Sequence, residues 1–401
     1  MGIEVEVSQA AADDAFLAAS GSNYELFVDV DQDVSAQSSM VLRETIKDLD
    51  GSKETFMILV PRSDTETTSE MMMCHVTIPT ESYMRANPNA LYQHHRHKNL
   101  RHPMIEVRQT QLCELPDECN RIRQTPVSAR TYRIATRHAD GSVLLFKGIN
   151  SDPVTLNGAA GDFFPLAWSA TGDLLATASD DASVAVWDIN NGNGRPKIVH
   201  TPWKDETIND ICFSSNQGNL VIVSYNNGHF AVLDPRTATA AFAQTRPDRQ
   251  DVMCAKQTGE GYVITCHSNK WDLLDLRSPT KPLYTGTTSR QGEIWNLECS
   301  PFSNTVFATG ATNGVVSLWD LSRIGREKPT SCGNAKPELL FEHRGHSASV
   351  NDLQWTHRDW TVLSTGGDCM MQLWEPTRSS HRTVTQWDAE LISEEARLIG
   401  Y

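Results

Sequence analysis

The chain has 401 residues, of which 39% are hydrophobic and 21% are charged, so it carries enough apolar material for a sizeable core and is not a disordered tail. Its net charge of −15 argues against a general nucleic-acid binder or a protein of anionic membranes, since both need a positive surface. The same charge permits a basic partner.

The first 80 residues begin with an acidic segment, residues 1–23, and then turn strand-like. The stretch "SQAAADDAFLAA", Ser8 to Ala19, opens with a serine and continues mostly in helix formers, which predicts an N-terminal helix. The stretch "YELFVDV" at Tyr24 alternates and predicts a strand.

Four strand-like runs follow in order: "SSMVLRETI", "TFMILVPRS", "MMMCHVTIP" and "HPMIEVRQT". A loop insertion near 80–103 separates the last two of them. Together these runs predict one four-stranded unit.

Six later segments end alike, on an apolar residue that is usually followed by an acid. The closing residues are Phe146, Trp187, Leu233, Leu274, Trp319 and Trp374. Their spacings of 41, 46, 41, 45 and 55 residues, with the W-D ending, are typical of the four-stranded WD-repeat blade.

A turn residue stands six positions before the close in five of these six units. These residues are Asp140, Asp181, Asn227, Asn313 and Asp368, while the fourth unit has Ser268. Asp and Asn suit a hairpin turn because their side chains bond their own backbone.

These patterns predict an all-β, seven-bladed WD40 propeller over residues 24–378, with the Tyr24 strand completing the last blade from the other end of the chain. A second insertion lies near 326–337. The remaining tail, 379–401, contains "DAELISEEARLI" and predicts a short C-terminal helix.

Motifs for chemistry are lacking in the sequence. It has no phosphate-binding glycine loop, no G-x-S-x-G elbow and no zincin helix, so we expect neither an enzyme nor a cofactor. The tract "YQHHRHKNLRH", Tyr92 to His102, is interpreted as a solvated basic loop rather than a metal site, because no carboxylate or cysteine stands nearby. Nine cysteines without a C-x-x-C pair indicate reduced thiols.

One stretch is similar to a known family. "LWDLSRIG", a variable insert and then "PELLFEHRGHSASVNDLQW" closely resemble the histone-binding WD-repeat family, which includes the retinoblastoma-binding histone chaperones and the small subunit of chromatin assembly factor. A weaker resemblance runs from about Tyr24 to Arg378 and includes "ECNRIRQTP" and "QGEIWNLECSPFSNTVFATG".

The resemblance implies a non-catalytic, nuclear docking subunit of chromatin assembly or chromatin-modifying complexes, with the cytoplasm as the other compartment. It implies two sites. The channel mouth would take basic peptides such as the histone H3 tail, through Glu118, Asn120, Asp162, Phe164, Asp251, Glu293 and Trp295. A side groove for the first helix of histone H4 would include Leu339, Leu340 and Phe341.

Two departures weaken the resemblance. These are Asn209 and Gly367, which stand where the family usually has acids. In addition, the second insertion carries Arg326, Lys328 and Lys336 where the family's loop is acidic. We therefore expect histone H3 rather than histone H4 as the partner, without direct contact to nucleic acid or membrane. The alternative is a propeller scaffold in ribosome biogenesis or RNA processing that has lost histone H4 binding.

Overall fold

The computed structural model describes residues 24–32, 36–63, 69–80, 82–83, 105–126, 128–157, 165–179, 181–190, 195–203, 206–214, 219–259, 261–279, 281–326 and 336–376. These residues form an all-β structure of seven four-stranded antiparallel sheets, which we call blades 1 to 7 in the order in which the chain enters them. The prediction of seven blades is therefore confirmed.

The first four blades follow one another along the chain. Blade 1 is β2 (Met40–Lys47), β3 (Lys53–Ser63), β4 (Ser69–Pro79) and β5 (Glu106–Leu115). Blade 2 is β6 (Cys119–Gln124), β7 (Ile134–His138), β8 (Val143–Phe146) and β9 (Val154–Leu156). Blade 3 is β10 (Leu166–Trp168), β11 (Leu174–Ala178), β12 (Val184–Asp188) and β13 (Lys197–Val199). Blade 4 is β14 (Ile208–Phe213), β15 (Val221–Tyr225), β16 (His229–Asp234) and β17 (Thr239–Thr245).

Three further blades complete the ring. Blade 5 is β18 (Cys254–Thr258), β19 (Tyr262–His267), β20 (Lys270–Asp275) and β21 (Tyr284–Thr287). Blade 6 is β22 (Ile294–Cys299), β23 (Val306–Ala311), β24 (Val316–Asp320) and β25 (Leu339–His343), with a 3-10 helix at Leu321–Arg323. Blade 7 is β26 (Val350–Trp355), β27 (Val362–Gly366), β28 (Met370–Pro376) and β1 (Tyr24–Asp31).

The ring is closed by strand β1, which pairs antiparallel with β28 so that Val28 lies opposite Leu373. Leu26, Val28 and Val30 are buried in a core shared with blade 1. This confirms that the strand at Tyr24 completes the last blade, and closure removes the long open edge that a curved sheet would otherwise leave.

Arg358 holds blades 1 and 7 together a second time. Its guanidinium contacts Glu54 of blade 1 at 2.7 Å and Glu375 of blade 7 at 3.1 Å, and all three side chains are buried. The two carboxylates share one cation, so this joint is ionic where the β1 joint is apolar.

The repeat seen in the sequence has a direct structural meaning. The closing residues Phe146, Trp187, Leu233, Leu274, Trp319 and Trp374 are all buried. The turn acids behave as predicted: Asp140 and Asp368 each accept a hydrogen bond from the backbone N–H two residues on, at 2.7 and 3.2 Å. In the Ser268 unit the turn residue takes the left-handed conformation, with φ of 49°, as Asn227 does in blade 4 with φ of 53°.

The apolar cores lie between neighbouring blades. For example, Val143 and Leu145 of blade 2 pack with Trp168, Leu175 and Trp187 of blade 3. Each blade therefore depends on the next, as expected for short sheets whose two faces both need covering.

Several predictions fall outside the described residues. They are the N-terminal helix at 8–19, the C-terminal helix, the histidine tract at 92–102 and most of the two insertions. In the part of the chain that is described, no helix is long and apolar enough to cross a membrane.

Candidate functional site

A central channel is ringed by the first strand of every blade. Strands β2, β6, β10, β14, β18, β22 and β26 contact one another in this order. Blade 7 meets blade 1 through Asn351, whose amide donates to the carbonyl of Ala36 at 3.1 Å. The loops that enter these strands lie at one end of the channel, which we call the mouth.

Glu293 and Trp295 form an exposed pair at the mouth, at the start of β22. The indole is 46% exposed, and its Nε1 donates a hydrogen bond to Glu293 Oε2 at 3.1 Å. The backbone N–H of Glu293 donates to Thr312 Oγ1 at 3.0 Å, which fixes the loop against the neighbouring turn. An open aromatic face beside a carboxylate can hold a guanidinium or ammonium group.

The two predicted site residues of blade 2, Glu118 and Asn120, differ in solvent exposure. Glu118 is half-buried, and its backbone N–H donates to Asp117 Oδ1 at 2.7 Å. Asn120 is 3% exposed. Glu118 is therefore the more accessible of the two, a difference in burial that the sequence motif does not indicate.

Asp251 is exposed at the entry to β18 and is already engaged. Its Oδ1 accepts a hydrogen bond from the backbone N–H of Asn227 at 2.7 Å. Its second oxygen leaves acceptor capacity for a ligand. Asp162 and Phe164, the blade 3 members of the predicted site, lie outside the described residues.

Asparagines near the start of the inner strands link each strand to its neighbour. Asn209 donates to the carbonyl of Val252 at 3.1 Å, and Asn296 donates to that of Val350 at 2.8 Å. Asn209 stands where the family resemblance leads one to expect an acid, and its amide joins blades 4 and 5. An amide, unlike a carboxylate, has the N–H that this bond requires.

The channel wall below the mouth carries an ionic network that was not predicted from the sequence. The carboxylate of Asp352 accepts hydrogen bonds from Arg121 Nη1 at 2.9 Å, from Arg123 Nη1 at 2.8 Å and from Ser38 Oγ. Burial alone would raise the pKa of Asp352, but the two guanidinium groups hold it below its usual range.

Two further carboxylates face the same channel. Asp210 Oδ2 lies 2.8 Å from Lys256 Nζ, whereas Glu298 Oε1 lies 3.9 Å from Arg123 Nη2. Burial raises the pKa of Glu298, against the lowering effect of Lys256 and Arg123. A sequence signal existed, because charged residues recur at alternate positions of an inner strand in "NRIR".

The predicted side-groove residues lie on the outer strand β25 of blade 6. Leu339 packs towards the core that joins blades 5 and 6, while Leu340 and Phe341 pack beside Phe27 against the core that joins blades 6 and 7. All three are half-buried, so they support the strand and leave part of their surface at the side of the propeller.

The paired histidine and acid in blade 7 have a structural role. His346 Nδ1 lies 3.2 Å from Asp368 Oδ1, and its Nε2 lies 2.9 Å from Ser364 Oγ, which also accepts from the Trp374 indole at 3.1 Å. Among the described residues no group of three metal-ligating side chains comes together.

This architecture defines the chain as a WD-repeat propeller. Residues 337–375 match the family model of the WD domain, G-beta repeat, and residues 166–258 match that of the anaphase-promoting complex subunit 4 WD40 domain.

Three relatives are similar over longer stretches. Histone acetyltransferase type B subunit 2 of Candida glabrata is 24% identical over 252 residues, covering 60% of each chain. Histone-binding protein MSI1 of Saccharomyces cerevisiae is 26% identical, covering 64% of this chain and 59% of its own. The type B subunit 2 of Debaryomyces hansenii is 27% identical, covering 50% and 40%.

The similarity to these relatives agrees with the resemblance of the sequence to the histone-binding WD-repeat family. The matched regions span at most about 60% of the length of these relatives.

Proposed function

We propose that this protein is a non-catalytic, histone-binding scaffold of a chromatin assembly or chromatin-modifying complex, and that it takes a basic peptide such as the histone H3 tail at the channel mouth. The observation that carries the proposal is the exposed indole of Trp295, hydrogen-bonded to the carboxylate of Glu293. The names of the relatives favour histones over the alternative of ribosome biogenesis or RNA processing.

The mouth suits a cationic peptide because carboxylates stand on the loops that enter several of the blades. Glu118, Asp251 and Glu293 enter blades 2, 5 and 6, and the resemblance adds Asp162 and Phe164 in blade 3. Since Asn120 is buried, the direct contact proposed in blade 2 is with Glu118.

Location and partners follow from the same reasoning. A histone-binding subunit would work in the nucleus, and the net charge of −15 disfavours direct contact with nucleic acid or anionic membrane. No catalytic group or cofactor enters this proposal, in which the protein contributes binding alone.

Glu293→Ala combined with Trp295→Ala tests the mouth. Losing a charge-assisted hydrogen bond and a cation–π contact should weaken binding of a histone H3 tail peptide by about 1–3 kcal/mol in calorimetry. Affinity of the wild type should also fall as salt rises, because exposed charges are screened.

The matched control is Glu106→Ala, an exposed carboxylate on the outer strand β5. It removes the same charge away from the mouth and should leave affinity unchanged. If the double variant binds as tightly as the wild type, the peptide does not use this site.

The side groove is proposed to bind histone H4 weakly. The resemblance places this groove between the N-terminal helix and the second insertion, beside Leu339, Leu340 and Phe341. Lys336, at the end of that insertion, directs its Nζ towards the carbonyl of Thr287 at 3.3 Å. Basic side chains on a histone helix would face like charges there, which costs binding energy.

Reversing two charges tests this repulsion. A variant with Lys328→Glu and Lys336→Glu should bind a histone H4 first-helix peptide roughly tenfold more tightly than the wild type, as measured by fluorescence anisotropy. Arg277→Glu, an exposed cation on blade 5, controls for net charge. Tight wild-type binding that the reversal abolishes would contradict the proposal.

A further inference from the structure

We propose that Ser278 is a phosphorylation site for a proline-directed serine/threonine kinase, with ATP as the phosphate donor. Ser278 stands in the loop of residues 276–283, which joins β20 to β21 in blade 5. This inference goes beyond the proposed function and does not depend on it, because no histone contact enters the argument.

The sequence that begins at Ser278 is "SPTK", with Pro279 next to the hydroxyl residue and Lys281 three positions after it. Proline has no N–H, so an apolar pocket of an enzyme can hold it without leaving a buried donor unpaired. The ammonium group of lysine can pair with a carboxylate or a phosphate on the same enzyme. A serine between these features has the chemistry of a substrate for a proline-directed kinase.

Four hydroxyl residues of the chain precede a proline, and they are Thr125, Thr201, Ser278 and Ser300. Three of them are buried, with an exposed fraction of 0% for Thr125, 6% for Thr201 and 9% for Ser300. Ser278 is exposed. The fold therefore leaves one of the four hydroxyl groups within reach of an enzyme.

Thr201 shares the whole pattern of Ser278 and differs from it in burial. It is followed by Pro202, and Lys204 stands three positions after it. Its Oγ1 donates a hydrogen bond to the carbonyl of Trp203 at 3.3 Å. Phosphoryl transfer needs the acceptor oxygen in line with the γ-phosphate, so a buried and bonded hydroxyl is out of reach in the folded protein. Thr201 is the internal comparison for Ser278.

The loop must lift from the blade to present its serine, because Pro279 is buried beside the exposed Ser278. Among the described residues of the turn, the backbone N–H of Ser278 donates to the carbonyl of Asp275 at 2.9 Å. The pairing of β20 with β21 reaches Leu273 opposite Tyr284, so it can stay intact while the loop between them opens. Such a local opening requires much less free energy than unfolding of the blade.

The phosphate would reverse the electrostatic character of the loop. Residues 276–283 contain Arg277 and Lys281 and no acid, so the loop carries two positive charges. The Arg277 side chain is 77% exposed, and its Nη2 lies 2.7 Å from Asp275 Oδ2. A phosphoserine adds a charge of about −1.5 to −2 and three strong acceptor oxygens. It would nearly neutralise the loop and compete with Asp275 for the guanidinium.

The reaction itself is a phosphoryl transfer. Ser278 Oγ forms a bond to the γ-phosphorus of ATP, and the bond from that phosphorus to the bridging oxygen of ADP breaks. The hydroxyl proton passes to the catalytic aspartate of the kinase, and ADP leaves.

The site lies away from the mouth. Strand β18 begins at the mouth and the strands of blade 5 alternate in direction, so β20 ends at the opposite end of the channel. A kinase could therefore reach Ser278 while a peptide occupies the mouth.

The test is phosphorylation of the purified full chain by a cyclin-dependent kinase with Mg²⁺ and ATP, followed by intact-mass and fragmentation mass spectrometry. We expect incorporation at Ser278 and none at Thr201. Ser278→Ala should abolish this incorporation. Lys281→Gln, a change at an exposed residue, should slow it roughly fivefold, because the kinase loses a charge-assisted contact.

Two synthetic peptides, residues 272–285 and residues 195–208, show what the same kinase accepts without the fold. We expect both to be phosphorylated, which would make burial the reason that Thr201 is spared. If the Ser278 peptide is not a substrate, or if it is one while the folded chain takes up no phosphate at Ser278, the proposal is overturned. Equal incorporation at Thr201 and Ser278 in the folded chain would also overturn it, since exposure would then not select the site.

Discussion

Replacing Asp352 with alanine is expected to lower the free energy of unfolding by about 3–5 kcal/mol, because it leaves two half-buried guanidinium groups without their counter-ion. Asp352 accepts hydrogen bonds from Arg121 and Arg123 of blade 2 and from Ser38 in the segment that leads into blade 1. One carboxylate therefore joins three blades at the channel wall. Urea denaturation of the purified full chain, followed by tryptophan fluorescence, measures the change.

Asp275→Ala is the matched control. Asp275 also pairs with an arginine, but Arg277 is 77% exposed, so solvent and salt replace the lost partner. The urea midpoint of this variant should stay close to that of the wild type. If the two variants lose the same stability, the channel network does not hold the ring together.

Asp29→Asn is expected to stabilise the protein at neutral and alkaline pH. Asp29 lies on the closing strand β1, and burial raises its pKa from 3.8 to about 7, with Asp368 and Asp31 adding repulsion and Gln372 opposing the shift. Its Oδ1 is buried without a hydrogen-bond partner among the described residues.

The direction of the pH dependence follows from the linkage between proton binding and folding. Because the folded protein holds this proton more tightly than the unfolded chain, the wild type is most stable below pH 3.8 in this respect and loses that stability as the pH rises to about 7. Asparagine cannot ionise, so the variant should gain about 2–4 kcal/mol at pH 8 and little at pH 4. Urea unfolding at both pH values measures the difference.

Asp48→Asn, on the exposed turn between β2 and β3, controls for the loss of one negative charge. An advantage of Asp29→Asn that is equal at pH 4 and pH 8 would show that folding does not raise the pKa of Asp29, and would remove the pH dependence from the closing strand.

The blades could be predicted because their signals are local. A closing tryptophan such as Trp319 and its turn residue Asn313 lie within one hairpin, and the hydrogen bond from the backbone N–H of Val315 to Asn313 Oδ1 spans two residues. The strand at Tyr24 was predicted from alternation, and its place in blade 7 from the need for closure. The hairpin motif and the alternation of apolar residues can both be recognised in a single sequence.

The channel network could not be predicted in the same way. Arg121 and Asp352 are 231 residues apart in the chain, and nothing near either residue indicates the other. The burial of individual site residues could not be predicted for a related reason. Asn120 matches a family position, but its 3% exposure depends on the neighbouring strands and loops. The best-supported part of the candidate site is therefore the pair Glu293 and Trp295, whose side chains are two residues apart in the chain and hydrogen-bond to each other.

Closure by β1 also determines when the ring can form during synthesis. Leu373 leaves the ribosome 345 residues (373 − 28) after its partner Val28. At about 5–20 residues per second, the early strand waits roughly 20–70 s for its partner. Through that interval Leu26, Val28 and Val30 have no blade 7 to complete, and the apolar side of a nascent strand is a binding site for chaperones. If synthesis stops before β28 is made, β1 has no strand to pair with and the ring stays open between blades 7 and 1.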